Sequence, residues 1–325
     1  MTDGYGRNID YLRISLTDKC NLRCVYCMPP QGINHISHDE ILTFEEITRI
    51  VKVMAELGIK KIRLTGGEPL VRKGMLNLVK KLHEIKGIEQ FALTTNGILL
   101  SEYARELKEA GITRINVSLD TLNETTFQKI TGCTGINTVL KGIHSALDEG
   151  FRVKLNCVPC AGLNDNELED IAKLAQSLPL DVRFIEMMPI GCGKNFTAIP
   201  SEQILLQLEK SFGNAEKYPD NLHTPAQYYR FQNFKGKIGF ISPLSHSFCQ
   251  NCNRIRLTTE GILKLCLCYS DGLNLKKILR SGADESTLKN EIIQAVKSKP
   301  EKHSFNKNEN TDNKKDTHTM AQIGG

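Results

Sequence analysis

The sequence predicts an α/β protein: a partial, TIM-like (βα)6 barrel over residues 5–222, followed by a smaller C-terminal domain over 223–325. Three observations carry that expectation. Six short strand-like runs are each followed by a helical pattern, which demands parallel strands joined by right-handed crossovers. Six such units fall short of the eight that close a full barrel. After about residue 222 the long elements give way to short strand-like runs around a second group of cysteines.

Residues 11–16, Tyr-Leu-Arg-Ile-Ser-Leu, alternate with period two and read as the first strand. Thr43 opens a capping box with Glu46 three residues on, for a helix with the apolar face Ile47, Ile50, Val51, Met54 and Leu57 that Gly58 ends. The pair recurs as strand 61–65 with helix 75–85, and strand 91–95 with helix 101–110. Strand 114–119 leads to helical patterns at 123–131 and 136–149, strand 152–158 to helix 165–178, and strand 182–187 to helix 201–212. Beyond these, 228–231 and 237–241 read as strands, 273–280 and 284–297 as helices. Residues 298–319 are rich in Lys, Asn, Asp, Glu and Thr, with Phe305 their one large apolar residue, and are too polar to order alone. The following Met-Ala-Gln-Ile-Gly-Gly departs from that composition and is expected to dock on the protein.

A length of 325 residues allows about two domains and a sizeable core. With 42 basic and 37 acidic residues the formal charge is only +5, so the total calls for neither nucleic acid nor an anionic membrane, and any phosphate site must be local. No run approaches the roughly 18 apolar residues of a membrane span and the first residues lack an apolar signal region, so a soluble, cytoplasmic protein is expected. Eleven cysteines are an odd count and many for such a chain; six fall into two close trios, which metal ligation explains better than disulfides.

The first trio, Cys20, Cys24 and Cys27, has C-x3-C-x2-C spacing within one loop. Three thiolates on an iron-sulfur cluster leave one iron open to another ligand, whereas structural zinc wants four closed ligands. Gly66-Gly67-Glu68-Pro69 follows the second strand, where paired glycines allow close approach to the backbone. The second trio is Cys249, Cys252 and Cys266; Cys268 could complete a zinc ribbon with it. Arginines at strand ends or beside the cysteines, Arg13, Arg63, Arg254 and Arg256, have the planar, permanently charged donors that phosphate oxygens accept.

The cysteine spacing, with Tyr26 before the last Cys, resembles the radical S-adenosylmethionine (SAM) superfamily. The longer string with Thr17, Asp18, Asn21, Arg23, Met28 and Pro29, together with the second trio and its Asn253-Arg254-Ile255-Arg256 insert, resembles the GTP 3′,8-cyclase family within it. The resemblance runs from Arg7 to Gly325. It implies a partial barrel open on one side, two [4Fe-4S] clusters and SAM as cofactors, and conversion of GTP to (8S)-3′,8-cyclo-7,8-dihydroguanosine 5′-triphosphate at the start of molybdenum cofactor biosynthesis. By the same resemblance Cys20, Cys24 and Cys27 hold the first cluster and Cys249, Cys252 and Cys266 the second. Tyr26, Gly67, Ser118 and Met188 contact SAM. Arg13, Arg63, Thr94, Lys154, Arg254, Ile255 and Arg256 bind GTP, with Lys61 and Arg183 as further candidates. Gly324 and Gly325 reach into the active site. An electron donor such as flavodoxin or ferredoxin is implied, and a homodimer is allowed. A radical SAM enzyme of the peptide-maturase type and a zinc-containing binding module are the alternatives.

Overall fold

The computed structural model describes residues 1–29, 31–33, 36–219, 224–305 and 320–324. Six strands, β1 (Tyr11–Ser15), β2 (Lys61–Thr65), β3 (Gln90–Thr95), β4 (Arg114–Ser118), β5 (Arg152–Cys157) and β6 (Asp181–Ile185), lie side by side in chain order, each parallel to the next. The crossovers are helical: α1 (Phe44–Glu56), α2 (Met75–His83), α3 (Leu100–Glu109), α4 (Glu124–Thr131), α5 (Ile136–Asp148), α6 (Leu168–Ser177), with α7 (Ser201–Phe212) after β6. The capping box forms as expected: Thr43 Oγ1 accepts from Glu46 N at 3.1 Å, and Glu46 Oε2 accepts from Thr43 N at 2.8 Å.

The later strands extend this same sheet at both edges. β9 (Ile238–Ile241) pairs parallel with β6 and carries β8 (Gln227–Arg230) and β7 (Glu216–Lys217) antiparallel beyond it. On the other edge β10 (Arg254–Leu257) pairs parallel with β1, followed by antiparallel β11 (Ile262–Lys264) and β12 (Gly272–Asn274). Twelve strands thus form one sheet among the described residues. An open partial barrel leaves unpaired backbone donors and acceptors along two edge strands, and these additions satisfy them. The segment expected to be helical from 273 begins as β12 and turns into α8 (Leu275–Arg280), then α9 (Glu285–Lys297).

Alternation along the strands sorts the sheet into two chemically opposite faces. Leu12, Ile14, Ile62, Leu64, Leu93, Ile115, Val117, Leu155, Val182, Phe184, Ile255 and Leu257 are all buried in the aliphatic core. The intervening positions are polar and in register: Tyr11, Arg13 and Ser15 lie beside Lys61, Arg63 and Thr65 on one side, and Tyr11 and Arg13 beside Arg254 and Arg256 on the other. Thr94, Asn116, Lys154 and Asp181 continue the polar face, as do Ser118, Asn156 and Arg183. That face is concave. Charge from Arg63 on β2 reaches Arg183 on β6, three strands removed in between, and lowers its pKa behind the larger effect of burial.

Candidate functional site

The cysteine loop follows β1 and is held in place by the Gly66-Gly67 turn after β2. Gly67 N donates to Thr17 O at 2.6 Å and Glu68 N to Lys19 O at 2.8 Å. A Cβ on Gly66 would stand 2.5 Å from the Thr17 carbonyl oxygen, at a φ of +148°, and one on Gly67 would collide with the Lys19 carbonyl. Both glycines are therefore required by the backbone of the cysteine loop itself. Glu68 is completely buried; it accepts from Asn96 N at 2.7 Å, Thr95 Oγ1 at 2.9 Å and Leu70 N at 3.1 Å, and burial raises its pKa to about 7 in spite of these donors. From this anchor the Asn96 amide donates to Asn21 Oδ1 at 2.7 Å and lies 3.7 Å from Cys20 Sγ.

Cys20, Cys24 and Cys27 are half-buried; the charges of Cys27 and Cys20 act on Cys24, and that of Cys20 acts on Cys27. Burial first, then the neighbouring thiols, lifts Cys27 to about 12 and Cys24 well above the usual thiol range. Three thiols crowded out of water, of which only Cys20 feels a nearby cation, Arg23, strongly enough to note, fit a multinuclear iron centre, whose positive charge would stabilise all three as thiolates. The Tyr26 hydroxyl donates to Asp120 Oδ2, and Asp120 also accepts from Val158 N at 2.8 Å; burial lifts that carboxyl to about 6. Ser118 is exposed at the end of β4, and Met188 is half-buried with its carbonyl oxygen close against Gly193.

The second trio lies beside β10 and β11, in a basic setting. Burial pushes the Cys252 thiol up, but Arg254, Lys299 and Arg256 outweigh it and bring the pKa down to about 7. A thiol readied as a thiolate by fixed cations fits the donor chemistry of a cluster. Cys268, the candidate fourth ligand, is 1% exposed with its Sγ 3.7 Å from Ser304 Oγ. Among the described residues no three His, Cys, Asp or Glu side chains converge for a single metal ion, and every cysteine is a free thiol.

Between the two trios, Arg256, Arg13 and Arg63 stand in register on three adjacent strands, β10, β1 and β2. Burial and the like charges around it hold Arg13 well below its ordinary pKa, and the same causes bring Arg256 to about 10. The Nε atoms of Arg183 and Arg256 are buried with no hydrogen-bond partner among the described residues. Buried guanidinium groups that repel one another gain from a polyanion that bridges them. Arg63 is oriented by the Tyr11 hydroxyl and by Thr94 Oγ1 at 3.3 Å. Lys154 already pairs with Asp181 Oδ2 at 2.9 Å and with the Tyr228 hydroxyl at 2.7 Å, and Lys61 with Asp10 Oδ2 at 2.9 Å.

Two expectations need qualification. The Ile255 side chain belongs to the opposite, aliphatic face and is fully buried, so only its backbone is available to a ligand. Gly325 lies outside the described residues. Gly324 does enter the concave side at φ +83°, where a Cβ would meet Ser15 Cβ at 2.9 Å and Thr65 Cγ2 at 3.1 Å. It follows the short helix α10 (Met320–Ile323), whose Ala321 and Ile323 are buried and whose Ala321 backbone donates to the Cys27 thiol. Sequence reasoning passed over Glu68, Asn96, Asp120 and Lys299 as site residues; only Glu68, inside the Gly-Gly turn, had a motif to point to it.

Residues 14–175 match the radical SAM superfamily, and residues 180–305 match the family described as Molybdenum Cofactor Synthesis C. The chain is 47% identical over 327 residues to a GTP 3′,8-cyclase of Clostridium perfringens, covering 100% of both proteins. It is 47% identical over 332 residues to a GTP 3′,8-cyclase of Desulforamulus reducens, again with 100% of both covered. Among solved structures, Streptococcus suis SuiB bound to S-adenosylmethionine superposes with a TM-score of 0.61 over 90% of this chain and 68% of its own, at 14% identity. That likeness is one of fold.

Proposed function

Since the chain belongs to the GTP 3′,8-cyclase family of the radical SAM superfamily, we propose a division of work among its residues for that reaction. The protein is a radical SAM lyase of molybdenum cofactor biosynthesis that converts GTP to (8S)-3′,8-cyclo-7,8-dihydroguanosine 5′-triphosphate. Full-length identity to cyclases favours this over the peptide-maturase reading, for which only a likeness of fold speaks.

The in-register guanidinium groups Arg256, Arg13 and Arg63, lying between two thiol trios, carry the assignment. They and Arg254 take the triphosphate, with Thr94 and Lys154 alongside and the Ile255 backbone between the two β10 arginines. Because three strands fix them before the ligand arrives, little reorganisation is needed to hold the ribose in one place. Cys20, Cys24 and Cys27 hold one [4Fe-4S] cluster and Cys249, Cys252 and Cys266 the other; Tyr26, Gly67, Ser118 and Met188 line the SAM position. When bound, the clusters and SAM supply the one-electron chemistry that takes hydrogen from the ribose 3′ carbon and joins that carbon to carbon 8 of guanine. Gly324 keeps the approach to the substrate free of side chains, while buried Ala321 and Ile323 close that end against water.

Residues 5–222 serve as the radical SAM core and 223–325 as the unit carrying the second cluster. We assign the reductant to the flavodoxin or ferredoxin class and the compartment to the cytoplasm; the resemblance allows a homodimer. No helix among the described residues is long and apolar enough to cross a membrane. Anaerobic iron and sulfide analysis, then incubation with SAM, GTP and a reductant, tests the reading. About eight irons and GTP-dependent 5′-deoxyadenosine are expected; a colourless protein, or one that cleaves no SAM, would overturn it.

A further inference from the structure

Lys299 opens a stretch of polar sequence, yet it is 2% exposed. Its Nζ donates to the Arg254 carbonyl at 3.0 Å and to the Leu265 carbonyl. One of these carbonyls lies two residues beyond Cys252, the other immediately before Cys266. A single ammonium therefore ties together the two segments that deliver two of the three thiols. The residues after it reach the third. Arg7 donates to the carbonyls of Pro300 and Glu301, both at 2.7 Å, and to that of Cys249 at 2.9 Å, while Asp3 Oδ2 holds its Nε at 2.6 Å. Farther along, the Tyr269 hydroxyl donates to Lys302 O at 3.1 Å, and His303 Nε2 meets Pro243 O at 2.7 Å. Residues 299–304 thus form a strap across the second thiol site.

Two carbonyls accept from two of the three Lys299 ammonium protons but do not offset its charge, and a buried charge is costly unless an opposite one faces it. The opposing charges around it are the thiols of Cys252 and Cys266, which act against the burial that lowers its pKa; Arg7 and Arg256 are its like-charged neighbours.

We propose that Lys299 is a positioning residue of the second cluster: it fixes the segments bearing Cys252 and Cys266 and sets a positive charge beside the iron they hold. Arg7 joins Cys249 to the same strap. The proposal rests on the reading of Cys249, Cys252 and Cys266 as cluster ligands. A fixed cation favours the reduced, more negative state of a cluster, so its removal makes reduction harder.

The test uses the full-length, cluster-loaded protein and its Lys299→Met, Lys299→Gln and Lys299→Arg variants, without GTP. Iron release to a ferrous chelator and a redox titration followed by electron paramagnetic resonance are the readouts. The Met and Gln variants are expected to release the second cluster's iron roughly tenfold to a hundredfold faster. Its midpoint potential should move negative in both, while the first cluster's signal stays as in the parent and the Arg variant keeps a parent-like potential. Should the Met variant fail to fold, the Gln variant, which keeps a donor for the carbonyls, carries the same comparison. Parent-like release and potential in the Gln variant would overturn the proposal. So would an equal loss of both clusters in that variant, or a fall in potential in the Arg variant as large as in the uncharged ones. A parent protein with only one cluster would instead remove the ligand assignment on which the proposal stands.

Discussion

Replacing Arg256 with Met should stabilise the ligand-free protein while removing much of its hold on the triphosphate. Arg256 is largely buried in register with Arg13, and burial followed by the charge of Arg254 lowers its pKa from 12.5 to about 10. At about 1.4 kcal/mol per unit this is on the order of 3 kcal/mol against the charged form, an upper value because the side chain keeps some solvent. The folded pKa lies below the unfolded one, so the unfolded chain binds the proton more tightly. The cost is then fully present at pH 7 and disappears only as pH rises from about 10 through the unfolded value. Met has a similar unbranched stem without charge. After subtracting lost packing and solvation, a net gain on the order of 1 kcal/mol remains, a rise in Tm of about 2 °C. In the opposite direction, charge-assisted phosphate hydrogen bonds of about 1.5–3 kcal/mol correspond to a roughly tenfold to hundredfold weaker Kd for GTP. Calorimetry of the GTP-free, cluster-loaded protein and equilibrium dialysis with GTP and SAM measure the two effects. A lower Tm with unchanged GTP affinity, or an equal loss of SAM affinity, would refute the account of this site.

Cys24→Ala is expected to abolish SAM cleavage, since two thiolates cannot hold the first cluster; normal 5′-deoxyadenosine formation by this variant would remove the cluster assignment. Gly324→Ala should leave both clusters and SAM binding intact but cut cyclised product severely, because its Cβ would press on Ser15 and Thr65 at a φ of +83°. Parent-like turnover there would show that Gly324 can move aside freely. Glu68, raised to about 7 by burial, binds its proton more tightly in the folded state, so its contribution to stability falls as pH rises from the unfolded value near 4.3 through about 7. Glu68→Gln should flatten urea-measured stability across that window, and an unchanged slope would count against a buried, titrating carboxyl.

Much of this was legible in the chain because the signals are local. The Thr43 and Glu46 box, the period-two runs from β1 to β6 and the tight cysteine spacings each declare themselves within a few residues. The position of β10 was not legible. Arg-Ile-Arg-Leu is only four residues long, and its pairing partner β1 lies at the other end of the chain, so nothing nearby announces that Arg256 stands beside Arg13. Ile255 entered among the ligand contacts through the family resemblance, and alternation sends its side chain to the other face, leaving its backbone for that role. Lys299 was hidden for a related reason. Composition reads a lysine in a polar run as solvated, and the carbonyls of Arg254 and Leu265 and the thiols of Cys252 and Cys266 that make a buried ammonium tolerable come from more than thirty residues away in the chain.

The central claim is that the concave basic face holds GTP with its ribose 3′ carbon next to the SAM position. Incubating the cluster-loaded protein with SAM, a reductant and GTP deuterated only at that carbon tests it most directly, by mass spectrometry of the 5′-deoxyadenosine formed. The account predicts 5′-deoxyadenosine carrying one deuterium, and none from GTP deuterated elsewhere on the ribose. Unlabelled 5′-deoxyadenosine from the 3′-deuterated substrate, formed at the normal rate, would contradict it.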